Sequence, residues 1–256
     1  MELRVERLSV AYNGALVLNE ISFSVKRGEV LGVLGPNGSG KTTLLKTIAG
    51  TLRAKEGAIY IDGHDLLRMM ARERARLVAV IPASPPTSNL SSCVMDFLLT
   101  ARYPYQNPLS PKIGDEDLEE IDKVSEELKL KELLERRMDQ LSSGELQRTL
   151  IAHALVKNAK ILLADEPTAF LDLNHKLHVF SLLRRIAREK EIIVVIATHE
   201  LLIAPRYLDK VILLKNGVVR GYGPTWEALT PETIRDVFGV DVEITGSGDK
   251  RAIIVK

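Results

Sequence analysis

Gly35-Pro36-Asn37-Gly38-Ser39-Gly40-Lys41-Thr42 is the stretch on which the fold turns. Glycine, four residues, then Gly-Lys-Thr is the pattern of a phosphate-binding loop. The apolar run Val30-Leu31-Gly32-Val33-Leu34 precedes it and reads as a buried strand. Thr43-Leu44-Leu45-Lys46-Thr47-Ile48-Ala49 follows and reads as a helix. Glycines let several N–H groups point at one phosphate, and the helix N-terminus adds partial positive charge. Lys41 is placed to reach the β- and γ-phosphates of a nucleotide, and the Thr42 hydroxyl to ligate Mg²⁺. A glycine-rich turn with an incidental lysine is the plainer alternative, and the flanking strand and helix argue against it.

Outward from this loop, Val30–Leu34, Ile161-Leu162-Leu163-Ala164 and Ile192-Ile193-Val194-Val195-Ile196-Ala197 are continuous apolar runs. Such strands are buried on both faces, as in a parallel sheet covered by helices. Arg76–Ile81 reads as a fourth. Leu177, Phe180, Leu183, Ile186 and Ala187 recur at helical spacing. Leu3, Val5, Leu8, Val10 and Tyr12, and then Ile21, Phe23 and Val25, alternate with polar residues, which predicts half-buried antiparallel strands at the start. Ala58-Ile59-Tyr60-Ile61 reads as a short strand turning at Asp62-Gly63. The expected fold is α/β: a P-loop NTPase with a mostly parallel central sheet flanked by helices and an N-terminal antiparallel β sub-domain.

Between Pro82 and Asp139 the texture changes. Pro82, Pro85, Pro86, Pro104, Pro108 and Pro111 break the chain into turns and short helices. Leu118, Ile121, Val124 and Leu128 then mark a charged amphipathic helix. A mostly helical sub-domain is expected over residues 84–139, with Tyr103–Asp117 as an exposed loop. Asn216-Gly217, between Val211–Leu214 and Val218-Val219, signals a hairpin. Val242–Lys256, centred on Gly246-Ser247-Gly248-Asp249, reads as a second one. Residues 1–256 are expected to form a single domain, with 216–256 a hairpin and helix extension.

Bulk properties narrow the function. Lys+Arg 35 against Asp+Glu 34 leaves no basic footprint for nucleic acid. Cys93 is the lone cysteine, so no internal disulfide can form and a reducing compartment is expected. No apolar run is long enough to cross a bilayer and no signal-peptide pattern is present, so a soluble protein is expected, with any membrane role coming through a partner.

Downstream, Ile161–Ala164 delivers Asp165-Glu166 to a strand end, where an open α/β sheet places its ligand. Asp165 would complete a Mg²⁺ shell, and Glu166 would orient and deprotonate the attacking water. The competing view, a polar strand end before Pro167, weakens once a P-loop lies upstream. Ser142 and Glu145 stand three apart before Leu150, Ile151, Ala154 and Leu155, which is a capping box; a capped helix N-terminus is also an anion site, so both readings stand. Tyr12 reads either as a core-filling strand aromatic or as a flat ring for a nucleotide base.

Taken in order, Gly35–Thr42, Leu141-Ser142-Ser143-Gly144-Glu145-Leu146-Gln147-Arg148, Ile161–Glu166 and Thr198-His199-Glu200 resemble the nucleotide-binding subunit of an ATP-binding cassette (ABC) transporter over essentially the whole chain. Leu-Ser-Ser-Gly-Glu is close to that family's Leu-Ser-Gly-Gly-Gln signature. The resemblance implies that ATP phosphates are held by Gly35, Asn37, Gly38, Ser39, Gly40, Lys41, Thr42 and Thr43, with Mg²⁺ on Thr42 and Asp165. It implies catalysis by Glu166, His199 and Lys41, with His199 contacting the γ-phosphate, and Tyr12 stacking on adenine. Ser142 and Gly144, with Glu145, would serve the γ-phosphate of a second copy in a head-to-tail dimer, and Asp172 would act across it. The expected partners are a membrane permease and, indirectly, an extracytoplasmic binding protein, with the chain peripheral on the cytoplasmic face of the membrane.

Asp165-Glu166-Pro167-Thr168-Ala169-Phe170-Leu171-Asp172-Leu173-Asn174-His175 is similar to the branch importing iron-siderophores, haem and cobalamin. Ala101-Arg102-Tyr103-Pro104-Tyr105 and Gly221-Tyr222-Gly223-Pro224 fit the same branch. One departure stands out: the family's glutamine after Ile-Pro is Ala83 here. The rival readings are a non-transport ABC ATPase scaffold in repair, translation or cofactor assembly, and a P-loop GTPase or small-molecule kinase. The first lacks support from any long coiled-coil insert or second cassette, and the second does not account for Leu141–Glu145.

Overall fold

The computed structural model describes residues 1–12, 14–85, 90–107, 112–248 and 251–256. Pro86, Pro108, Pro111 and Asp249, read above as turn residues, lie outside them. The chain runs β1 (Glu2–Tyr12), β2 (Ala15–Lys26), β3 (Val30–Leu34), α1 (Lys41–Ala49), β4 (Glu56–Ile61), β5 (His64–Asp65), α2 (Ala71–Leu77) and β6 (Val78–Ile81). It continues through α3 (Val94–Thr100), α4 (Asp115–Glu127), α5 (Ser143–Val156), β7 (Ile161–Asp165), α6 (Leu173–Glu189) and β8 (Ile193–Thr198). Then come β9 (Lys210–Lys215), β10 (Val218–Pro224), α7 (Thr225–Ala228), α8 (Pro231–Phe238), β11 (Val242–Thr245) and β12 (Ala252–Val255).

The central sheet has the order β10-β9-β3-β8-β7-β6, parallel from β9 to β6 and closed by the antiparallel edge strand β10. Its apolar strands are continuous because each feeds two cores. Leu31, Val33, Ile161, Leu163, Val195 and Ala197 face the antiparallel sheet β2-β1-β4-β5 and α1. Val30, Leu34, Leu162, Ala164, Val194 and Ile196 face α3, α4, α5 and α6. Alternation in β1 and β2 follows from a single buried face: Leu3, Val5, Ile21, Phe23 and Val25 point inward. Asn216 (φ 48°) and Gly217 (φ 75°) turn β9 into β10, as the sequence predicts. The tail pairs β11 with β12.

Two expectations need correction. The strand read over Arg76–Ile81 begins at Val78, because Arg76 and Leu77 close α2, whose Ala, Arg and Glu content favours helix. Tyr103–Asp117 is not simply an exposed loop. Asp117 lies in the first turn of α4 and is buried against the equally buried Arg102, Nε to Oδ1 at 2.7 Å. The Arg102 guanidinium also lies 4.3 Å from the Tyr105 ring centroid, and the Tyr105 hydroxyl donates to the Lys157 carbonyl at 2.8 Å. Arg72 and Arg76 both donate to the Pro104 carbonyl. Five side chains thus tie this segment to α2, α4 and the end of α5.

Candidate active site

β3, β8 and β7 are neighbours in the sheet, so their carboxyl ends gather three motifs in one place. From β3 the chain enters the P-loop. At Gly35 a Cβ would sit 2.2 Å from the Leu214 carbonyl oxygen, so no other residue fits the approach to β9. Gly40 takes φ 105°, which only glycine adopts at low cost, and caps α1 so that Lys41 becomes its first residue. The loop is braced from the antiparallel side. Gly217 N–H donates to the Ser39 carbonyl at 3.0 Å, and Leu18 of β2 packs against Gly40. Tyr12 ends β1 opposite Ala15 and is 43% exposed, so its ring is open for stacking rather than committed to the core.

Lys41 is buried, and its Nζ donates to the Gly35 and Pro36 carbonyls at 2.9 and 3.2 Å. It also lies 3.3 Å from Glu166 Oε1. The Thr42 hydroxyl donates to Asp165 Oδ1 at 3.0 Å. Burial pushes the Asp165 carboxyl above its ordinary range, with the Thr42 bond opposing the shift. Glu166 leaves β7 at φ 47°, a left-handed backbone fixed by its N–H bond to the Ala197 carbonyl at 2.8 Å. Its other oxygen, Oε2, lies 2.9 Å from Nδ1 of His199, which follows the end of β8. Reading the sequence assigned His199 a phosphate contact and missed this pairing. The adjacency of β7 and β8, with Asp165 in register with Ala197, is what brings it about.

The remaining predicted residues form a second cluster. Ser142 caps α5: its Oγ accepts from Glu145 N, and Glu145 Oε2 takes bonds from Ser142 N and Oγ at 2.9 and 2.7 Å. These bonds from Ser142 hold the Glu145 carboxyl below its ordinary range. Asp172 caps α6, accepting from His175 N at 2.9 Å and lying 2.8 Å from His175 Nδ1. Those contacts lower the Asp172 carboxyl likewise. Among the described residues, no hydrogen bond or ion pair joins Ser142, Gly144, Glu145 or Asp172 to Gly35–Thr43. The predicted site residues therefore fall into two separate clusters.

The P-loop half suits a magnesium nucleotide. Among the described residues Ser39 Oγ is buried without a hydrogen-bond partner, Gly38 faces open space where a side chain would otherwise stand, and Thr42 and Asp165 offer hard oxygen donors side by side. Among the described residues no cluster of three or more His, Cys, Asp and Glu could hold a metal by protein alone. Mg²⁺ asks for only one or two carboxylates beside substrate phosphates.

A strand-borne P-loop, an acidic pair at the next strand but one and a signature-capped helix define a nucleotide hydrolase. The ABC transporter family matches residues 18–169. The chain is 40% identical to the uncharacterized ABC transporter ATP-binding protein MJ0089 of Methanocaldococcus jannaschii, over 95% of this chain and 94% of that one. It is 34% identical to the iron(3+)-hydroxamate import ATP-binding protein FhuC of Bacillus subtilis, over 94% and 89%. Among solved structures, a dimeric post-hydrolysis state of the ATP-binding cassette MJ0796 bound to ADP and Pi matches with a TM-score of 0.74 at 26% identity, over 87% and 98%. The chain belongs to the ABC transporter family as an ATP-binding, ATP-hydrolysing subunit.

Proposed function

We propose that this ATPase powers import of a metal chelate, of the iron-siderophore, haem or cobalamin type, through a separate membrane permease. The relation to an iron(3+)-hydroxamate import subunit supports the cargo class. Among the described residues no helix is long and apolar enough to cross a membrane; in this reading the passage belongs to a separate permease. Exposed Met70 and Tyr103, close in sequence to Arg72 and Pro104, whose hydrogen bond joins the two segments, would offer that subunit an apolar foothold. The chain would then sit at the cytoplasmic face.

The observation that carries the mechanism is the separation of the predicted residues into two clusters, which we read as two half-sites. In the first, P-loop amides and Lys41 bind phosphates, Thr42 and Asp165 would hold Mg²⁺, and Tyr12 stacks on the base. Mg²⁺ would neutralise charge on the phosphate oxygens. Lys41, held between two carbonyls and Glu166, turns its ammonium to the β- and γ-phosphates. Glu166 accepts a proton from the attacking water, and His199 fixes the carboxylate from its far side. In the second, Ser142, Gly144 and Asp172 face the nucleotide of another copy. Two copies arranged head to tail complete two sites, and ATP bound between them stabilises the pair.

Uptake in cells lacking this chain tests the cargo class. Loss of ferric hydroxamate, haem or cobalamin uptake, restored by the wild-type chain and not by Lys41→Ala, is expected. Normal uptake of all three would refute it.

A further inference from the structure

His175 touches both segments that the dimer would present to its partner. Its Nδ1 lies 2.8 Å from Asp172 Oδ2, while its backbone N–H donates to Oδ1 of the same carboxylate at 2.9 Å. The opposite edge of the ring lies against the signature glycine. A Cβ built on Gly144 would stand 2.8 Å from His175 Cδ2 and 2.9 Å from Nε2. Side chains do not pack the ring in place from all sides, since it lines a cavity of about 450 Å³ with Gly144, Gln147, Arg148 and His178. Its position comes from the Asp172 carboxylate, which takes two bonds from one residue. The close approach of α5 and the rigid seat on α6 therefore depend on each other. A larger residue at 144 would push the ring away and break its bond to Asp172.

We propose that His175 is a positioning residue that sets the spacing between the signature turn (Ser142–Glu145) and the Asp172 turn, so that one subunit offers both to its partner's nucleotide as a single rigid unit. This rests on the two-copy reading above. It gives the glycine at position 144 a packing reason in this chain, beyond any contact its amide makes with phosphate. It also gives the histidine of Leu173-Asn174-His175 a function. Because the imidazole acts through Asp172 and Gly144, it need not touch ATP.

Four variants test the proposal, each first shown by its thermal midpoint to be folded. His175→Ala should lower the ATPase rate roughly three- to tenfold, the scale of one lost hydrogen bond, without changing nucleotide affinity of the single subunit. His175→Asn, whose amide N–H can replace Nδ1–H, should recover most of it. Gly144→Ala should lower the rate at least as far. Adding His175→Ala to Gly144→Ala should raise the rate above that of Gly144→Ala alone, because the clash is gone. A residue that merely supports the fold would lower the thermal midpoint in step with the rate, and a histidine uncoupled from Gly144 would give additive losses. Additive losses, or a His175→Ala rate equal to wild type, would overturn the proposal. ATP-driven association of Glu166→Gln, measured in parallel by light scattering, judges the two-copy reading separately: if that chain stays single, that reading fails, while the rate rescue still decides the role of His175.

Discussion

His199 Nδ1 lies 2.9 Å from Glu166 Oε2, on the side of the carboxylate away from Lys41. The general base of the proposed mechanism is therefore gripped between a lysine and an imidazole while its backbone holds φ 47°. Left-handed backbone at a residue with a Cβ costs about 1–3 kcal/mol, and surrounding contacts must hold it there. His199 is one such contact. His199→Ala should lower kcat roughly 10- to 100-fold, the loss of a hydrogen bond to a charged group, with ATP affinity little changed. Steady-state kinetics beside equilibrium nucleotide binding would check this. An equal loss in both quantities would place His199 on the bound phosphate rather than on Glu166.

Ala83 follows the β6 end, half-buried, where the family carries glutamine. Mg²⁺ accepts water where protein offers no ligand, so metal affinity should not suffer. A ligand shifts a conformational equilibrium only through differential contacts, and alanine offers nothing polar to tell ATP from ADP. Ala83→Gln is therefore expected to raise the ATPase rate or its stimulation by the permease, with nucleotide affinity unchanged. If neither moves, exposed Ser84 or another group fills the role.

His153 on α5 stacks on Phe97 with ring centroids 4.4 Å apart, and its Nε2 lies 3.0 Å from the Thr100 hydroxyl. Burial, helped by Lys157, pulls it from the ordinary 6.5 down to about 4. In the fold it stays neutral as pH falls through 6.5, whereas the unfolded chain takes up the proton. Stability contributed by this group is thus complete above pH 6.5 and drains away toward pH 4, by roughly 3 kcal/mol in all. Denaturant unfolding of wild type and His153→Gln between pH 7 and pH 4 should show a smaller acid loss in the variant. Parallel pH profiles would remove His153 from the account.

Arg102 and Asp117 are both buried, and Arg102 also donates to the Val156 carbonyl at 3.0 Å. Burial alone would raise the Asp117 carboxyl, but bonds from Arg102 and the Gly114 N–H bring it below its ordinary range. Asp117→Ala leaves a buried guanidinium without its carboxylate and should cost about 3–5 kcal/mol. A loss under 1 kcal/mol in urea unfolding would show that the pair is solvated.

What could be read from sequence follows contiguity. Gly35–Thr42 and Asp165-Glu166 each carry their chemistry in one short run bounded by an apolar strand, so strand end and site were legible together. Contacts made by register were not. His199 meets Glu166 only because β7 lies beside β8, and His175 meets Gly144 only because α5 and α6 start close together. Asp117 misled for another reason: a charged residue closing a proline-rich stretch reads as surface, and nothing local announces that it is buried against Arg102.

In the proposed mechanism two copies close around ATP, and Glu166 then deprotonates the attacking water. Glu166→Gln keeps shape and hydrogen-bonding capacity but cannot take that proton. Light scattering of this variant with ATP and Mg²⁺ should show two copies together, against one with ADP, while hydrolysis falls about 10²–10⁴-fold. A variant that stays single with ATP bound, or that hydrolyses it near the wild-type rate, would contradict the account.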